Sequence, residues 1–268
     1  MGELVFAGLG LFDELDMSLR ALEEVKTADY VFAELYTSIM AGLSLENLEK
    51  IAGKKVILVS RKNLEDENGA MIISKASSAK VVFLVPGDPL IATTHIDLRI
   101  RADKMGIKTR IVHGASIISA VMGLSGLQNY RFGRSVTIPF PYGGIISKTP
   151  YNVIVENKAR NLHTLCFLDI DVERKRFLTV REALQSLLTV EKNKSQGVID
   201  LDVLAIAIAR AGSSDVKVKA DRVANLLEFD FGAPPYLLVF PAGRLHFMEA
   251  EALIRFADAP EWIKEMVG

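Results

Sequence analysis

Short apolar runs rich in β-branched residues alternate with amphipathic stretches along most of the chain, which predicts an α/β fold built on a largely parallel sheet. Two further observations support it: turn-forming residues end most of the apolar runs, and helix-capping signals fall between them. At 268 residues, the length admits one large domain or two of about 120 to 140 residues, each able to bury a core. The pattern restarts after Gln128-Asn129-Tyr130, which places a boundary near 128 and divides the chain into lobes 1–128 and 129–268.

In the first half, strands are expected at Leu4–Gly8, Tyr30–Glu34, Lys55–Ser60, Val81–Pro86 and Lys108–His113. Ser18 can cap a helix with Leu19, Leu22 and Val25 on one face; Ser44 can cap another with Leu45, Leu48 and Ile51 inward and Gly53 as its stop. In Thr94-His95-Ile96-Asp97 a hydroxyl is followed three residues later by an acid, which predicts a helix opening at Thr94 and closing at Met105-Gly106. Ala115–Leu127 reads as a small-residue helix. In the second half, strands are expected at Ser135–Phe140, Thr164–Ile170, Leu204–Arg210 and Pro235–Pro241, with a short hairpin strand at Val216–Ala220. The capping box Thr179-Val180-Arg181-Glu182 starts one helix, with Val190–Lys194 as a solvated helix end, and another opens at Met248. Pro141–Pro150 is the longest irregular piece, and loops of that length in compact domains are often functional.

Composition narrows the function classes. With 32 Lys+Arg against 33 Asp+Glu the formal charge is −1, so no field gathers a polyanion, and neither nucleic acid nor an anionic membrane is expected as a main partner. The most apolar helix candidate, Ala115–Leu127, is shorter than the ~18 to 20 residues a membrane span needs. The start Met1-Gly2-Glu3 carries an acid where a signal peptide carries positive charge. Cys166 is the lone cysteine, which excludes an intrachain disulfide and a cysteine zinc cluster and fits a reducing cytoplasm. His95, His113, His163 and His246 share no ligand spacing, so no metal site is expected and caps or structural hydrogen bonds are their expected roles. Specificity is left to a pocket.

Three loops in the first half can build one. Gly8-Leu9-Gly10 follows the first strand, but Asp13 stands where a dinucleotide-binding turn has its third glycine, and Asp13, Glu14 and Asp16 would repel a pyrophosphate. Val85-Pro86-Gly87-Asp88-Pro89-Leu90 ends the most apolar strand in a stiff turn, where Asp88 can accept from hydroxyls or an ammonium. His113-Gly114-Ala115-Ser116-Ile117 joins a strand to a helix. In the second half, Leu165–Asp169, Ala209–Ser213 and Gly232–Tyr236 are read as further strand ends. Together they suggest a ligand held between two α/β lobes by backbone groups and apolar side chains.

The segments Gly8–Leu11 with Asp13-Glu14-Asp16, Ala33–Ser38, Pro86–His95, Leu98–Ala102, Ser116-Ile117, Leu162–Leu165, Leu168–Ile170, Ala209–Ser213, and Asp230–Gly232 with Pro234-Pro235 resemble, in order, the diphthine synthases. The resemblance covers essentially the whole chain. It implies the two-lobed tetrapyrrole-methylase-like fold, each lobe a sheet flanked by helices, with S-adenosylmethionine in the cleft and S-adenosylhomocysteine as product. It also implies a cytoplasmic homodimer. The implied reaction is trimethylation of the amine of a 3-amino-3-carboxypropyl histidine on translation elongation factor 2, on the way to diphthamide. By family pattern, Leu11, Asp88, Ile91, Ser116, Ile117, Leu168, Ala211 and Tyr236 fall at the cofactor. Methyl transfer from a sulfonium needs mainly positioning, exclusion of water and a deprotonated amine. Glu34, Tyr36, Thr37 and Thr93, polar residues at or after strand ends, are the candidates for orienting the substrate. The competing readings are a corrin or porphyrinogen methyltransferase of the same superfamily, a non-catalytic binder of the cofactor, and a structural dimerisation module.

Overall fold

Residues 2–172 and 174–268 are described by the computed structural model of the chain, which divides into two compact units. The first holds residues 2–117 with Val172 and Arg174; the second holds Ile118–Asp171 and Lys175–Gly268.

Apolar residues on alternate faces of each strand determine the first unit. Its elements run β1 (Glu3–Gly8), α1 (Leu19–Thr27), β2 (Tyr30–Glu34), α2 (Leu45–Ala52), β3 (Val56–Val59), α3 (Arg61–Glu65), α4 (Ala70–Ala76), β4 (Lys80–Val85), α5 (Ile96–Lys104) and β5 (Lys108–Val112). All five strands are parallel, in the order β3-β2-β4-β1-β5. Val5, Ala7, Val31, Ala33, Val82 and Leu84 point to one face and pack with Ala21 and Val25 of α1 and Leu48 and Ala52 of α2. Leu4, Phe6, Phe32, Val81 and Phe83 point to the other, against Ile72 and Ile73 of α4 and Leu98 and Ala102 of α5. A helix layer on each face explains why β1 and β4 read as unbroken apolar runs. Ser18 and Ser44 cap α1 and α2 as expected, accepting from the N–H groups of Ala21 and Asn47, and Gly53 ends α2 at φ +67°.

The helix expected to open at Thr94 instead begins at Ile96, without a side-chain cap. The Thr93 hydroxyl accepts the His95 N–H at 3.3 Å, and Ala92 turns the chain left-handed at φ 55°, so the sequence Thr94-to-Asp97 makes no capping box. Ser60, read as a strand end, caps α3 instead. The short helices α3 and α4 have no long apolar period and were not separable from loop in the sequence.

The second unit follows α6 (Ile117–Ser125) with β6 (Val136–Ile138), α7 (Thr149–Ala159), β7 (Thr164–Leu168), β8 (Ile170–Asp171), β9 (Arg176–Phe177), α8 (Val180–Lys194), β10 (Leu204–Ala209), β11 (Lys217–Arg222), α9 (Val223–Leu226), β12 (Tyr236–Phe240) and α10 (Phe247–Phe256). Its sheet, β11-β10-β12-β7-β6, corrects the expectation of largely parallel pairing: only β6 and β7 are parallel. Antiparallel pairing needs no helical crossover, so the short connection between β10 and β11 suffices. Cys166, Leu168, Ala205, Ala207, Leu238 and Phe240 share a core with Tyr151 and Ile154 of α7 and Leu184 and Leu187 of α8. The capping box at Thr179 and Glu182 forms as expected. The stretch ending at Pro150 is not all loop, because Thr149-Pro150 opens α7, where a missing proline N–H costs nothing. Apolar residues all round α7 hid its period. The expected strand Thr164–Ile170 is broken at Asp169.

Candidate functional site

Parallel pairing sends the loops after β1, β2, β4 and β5 to one edge of the first sheet, the carboxyl edge, where open α/β sheets bind ligands. Three glycines lock these loops together. A Cβ at Gly8 would stand 2.3 Å from the Gly87 carbonyl oxygen and 2.7 Å from the Gly114 Cα, and one at Gly114 would stand 2.4 Å from the same oxygen. The Gly87 N–H donates to the Gly10 carbonyl at 2.6 Å, and Gly10 sits at φ 91°, which its lack of a side chain permits. Gly-x-Gly here serves close backbone packing.

The acids that follow are absorbed locally. The Asp16 carboxylate accepts the N–H groups of Leu11 at 3.0 Å and Phe12 at 2.7 Å, Asp13 caps the turn at Glu14–Asp16, and Glu14 accepts the Ser44 N–H at 3.1 Å.

Asp88 is buried, and its Oδ2 accepts from His113 Nδ1 at 2.7 Å while its Oδ1 accepts the Leu90 N–H at 3.3 Å. That bond ties the β4 loop to the β5 loop, a partnership with no sequence signal. Ile91 is exposed two residues past Pro89, and Ser116 and Ile117 follow at the start of α6. Leu11, Asp88, Ile91, Ser116 and Ile117 thus belong to loops of one edge.

The other expected cofactor residues lie in the second unit. Leu168 ends β7, Ala211 follows β10, and Tyr236 opens β12. Ala209 pairs with Tyr236, and Leu237 pairs with Phe167, so the three share one end of that sheet. Gly232–Tyr236, read as a strand end, is a strand start; antiparallel pairing places it at this end. Arg210, buried and left-handed at φ 54°, anchors it by donating to the Phe231 carbonyl at 2.6 Å, while its own N–H donates to the Pro235 carbonyl at 2.9 Å. The Tyr236 hydroxyl donates to the Gly232 carbonyl.

Glu34, Tyr36 and Thr37 gather tightly in the turn after β2. Glu34 is fully buried; its Oε2 accepts the N–H groups of Tyr36 and Thr37, both at 3.0 Å, and its Oε1 accepts the Thr37 hydroxyl. His95, from the β4 loop, places Nε2 3.8 Å from Glu34 Oε1, while its Nδ1 meets the Pro89 carbonyl at 3.3 Å and its ring stands edge-on to Phe83. Since a carbonyl only accepts, Nδ1 carries the proton and Nε2 of the neutral ring is bare. Burial pushes the His95 pKa down, against the pull of Glu34 and the Pro89 carbonyl. The Tyr36 hydroxyl and His95 Nε2 are buried without hydrogen-bond partners among the described residues. Burial and the charges of Glu34 and Glu65 push the Tyr36 pKa up, so the phenol keeps its proton, and Arg61 lies over the ring at 5.3 Å. Thr93 meets the Pro89 carbonyl at 3.4 Å and supports the same loop. Among the described residues no cluster fit to hold a metal exists, and no helix is long and apolar enough to cross a membrane.

A family model, the tetrapyrrole (corrin/porphyrin) methylases, matches residues 3–227. The chain belongs to this family. Within it the chain is 53% identical to a diphthine synthase of Methanosarcina mazei, over 98% of this chain and 99% of that one, and 46% identical to one of Methanocaldococcus jannaschii, over 93% and 97%. A crystal structure of a diphthine synthase superposes with a TM-score of 0.89 at 45% identity, covering 98% of this chain and 99% of the other. The diphthine synthase resemblance and the methylase fold therefore hold, and the chain is a methyltransferase. The corrin methyltransferase, non-catalytic and purely structural readings are not favoured.

Proposed function

We propose that the protein transfers methyl groups from S-adenosylmethionine to the amine of a 3-amino-3-carboxypropyl histidine on translation elongation factor 2, three times, in diphthamide biosynthesis. Near-full-length identity of about half to diphthine synthases carries this reading. The chemistry of the loops fits such a cofactor: close-packed glycine turns that let a ligand approach the backbone, apolar side chains and a buried carboxylate can hold an adenosine and an amino-acid moiety. Leu11, Asp88, Ile91, Ser116 and Ile117 from the first unit, and Leu168, Ala211 and Tyr236 from the second, are the residues assigned to hold it. Asp88, fixed by His113, would accept from hydroxyls or an ammonium. When bound, the sulfonium supplies an activated methyl, so the chain's own work is to orient the amine in line and keep water out.

Glu34, Tyr36, Thr37 and Thr93 are proposed to orient the substrate. Glu34 does so by fixing the backbone of Tyr36 and Thr37, because its side chain is buried under them. The family further suggests a cytoplasmic homodimer, consistent with a translation factor as substrate. The test is transfer of labelled methyl from S-adenosylmethionine to elongation factor 2. Label is expected only on protein carrying the aminocarboxypropyl group; equal labelling of factor with the bare histidine would refute the substrate assignment.

A further inference from the structure

Every methyl transfer to an ammonium releases one proton, and the group that receives it is not assigned by the preceding reading, on which this inference rests. Several titratable groups of the first unit have partners: Arg110 engages Glu3 and Glu24, Asp88 engages His113, and Asp16 engages backbone. Among the described residues, two buried polar atoms are left without hydrogen-bond partners, the Tyr36 hydroxyl and His95 Nε2, and of these only His95 Nε2 is basic, with a fixed tautomer, an open lone pair and a carboxylate 3.8 Å away.

We infer that Thr37, Glu34 and His95 form a proton relay from the substrate amine into the first unit, with the Thr37 hydroxyl as its entry and His95 Nε2 as its end. Thr37 is half-buried, whereas Glu34 and His95 are sealed, so only the hydroxyl meets substrate. The ammonium N–H bond breaks as an O–H bond forms at Thr37 Oγ1, and the hydroxyl passes its own proton to Glu34 Oε1, which it already contacts. That proton passes to His95 Nε2 when the ring closes the 3.8 Å that separates it from Glu34 Oε1 at rest, leaving an imidazolium beside a carboxylate. The freed amine lone pair forms the new C–N bond, and the electrons of the S–CH3 bond go to sulfur. One proton is stored per turn and returns to solvent by the same path. Burial, the largest influence on His95, disfavours the imidazolium; of the groups facing it, Glu34 from the β2 turn and Glu65 from α3 offset part of that, the Tyr36 phenol stays neutral, and Arg61 lies over the Tyr36 ring. The resting ring is therefore neutral with Nε2 free, and a proton taken there is held only briefly before it returns.

Three variants test the relay against a wild-type enzyme first shown to methylate aminocarboxypropyl elongation factor 2; an inert wild type would defeat the functional reading instead. Thr37→Val, which keeps shape and removes the hydroxyl, is expected to lower kcat on the order of 100-fold while KM and cofactor affinity stay within about threefold. Thr37→Ser should restore most of the rate. His95→Asn, whose amide can still donate to the Pro89 carbonyl, should lower kcat and replace the wild-type loss of rate on acidification with a rate that climbs into alkaline pH. Thr37→Val within about threefold of wild type, Thr37→Ser as damaged as Thr37→Val, or an unchanged pH profile in His95→Asn would each overturn the relay. Should Thr37→Val fail to fold, the His95→Asn profile decides alone.

Discussion

Replacing Glu249 with glutamine removes the charge at the centre of a buried polar cluster in the second unit. Glu249 is fully buried in the first turn of α10. Its Oε1 accepts from His163 Nε2 at 2.9 Å and the Gln128 N–H at 3.0 Å; its Oε2 accepts the His246 N–H at 2.9 Å and the Arg131 guanidinium. His163 Nδ1 accepts the Ala242 N–H at 2.9 Å, so Nε2 carries the proton and all four partners are donors. A glutamine amide turns an NH2 toward two of them and leaves Arg131 without its counter-ion, and breaking a buried pair this way costs about 3 to 5 kcal/mol. Linkage gives a similar figure. Burial raises the Glu249 pKa, but the His163, Gln128 and His246 bonds outweigh it and hold the carboxyl at about 2, against an ordinary 4.5, worth about 3 kcal/mol. Because the folded pKa is depressed, this contribution is complete above the unfolded value of 4.5 and is lost as pH falls toward 2. Urea unfolding followed by the single tryptophan, Trp262, reports on the second unit, since its turn packs beside α10. Glu249→Gln should lose about 3 kcal/mol or more at pH 7, and the gap from wild type should narrow at pH 3. A loss under about 1 kcal/mol at pH 7 would refute the account of the cluster.

Other expectations follow from the same geometry. Gly8→Ala and Gly114→Ala each drive a methyl into backbone, so each should destabilise by about 1 to 3 kcal/mol and weaken S-adenosylmethionine binding in calorimetry; wild-type affinity in both would show that the glycine lock is dispensable. Glu24 is buried beneath Arg110, whose two hydrogen bonds hold its carboxyl at about 2. Glu24→Gln should cost about 2 kcal/mol at neutral pH, the difference fading as pH falls through 4.5 toward 2 in acid unfolding curves. Burial pushes the Cys166 thiol well above its ordinary range, so a thiol reagent should label it only after unfolding; rapid labelling of folded protein would contradict its placement.

The first sheet was legible because every central strand is an unbroken apolar run ended by glycine, proline or an acid, and capping serines mark α1 and α2. In the second the strands themselves were legible, Pro235–Pro241 among them, but not their direction, because antiparallel partners carry no crossover pattern. At the candidate site, motif spacing pointed to the loops but not to their partners. The bonds of Asp88 to His113 and of Glu249 to His163 join residues 25 and 86 positions apart, a separation that local pattern does not encode. The sequence sets His95 in a helix-opening motif, whereas in the structure it follows a left-handed Ala92 and faces Glu34. Only His246 shows the capping role expected of a histidine, accepting the Met248 N–H.

Intact mass spectrometry tests the central claim most directly. Elongation factor 2 bearing the aminocarboxypropyl histidine, incubated with the protein and S-adenosylmethionine, should gain three methyl increments that map to that histidine. An unchanged mass, with cofactor binding demonstrated in the same preparation, would contradict the assignment.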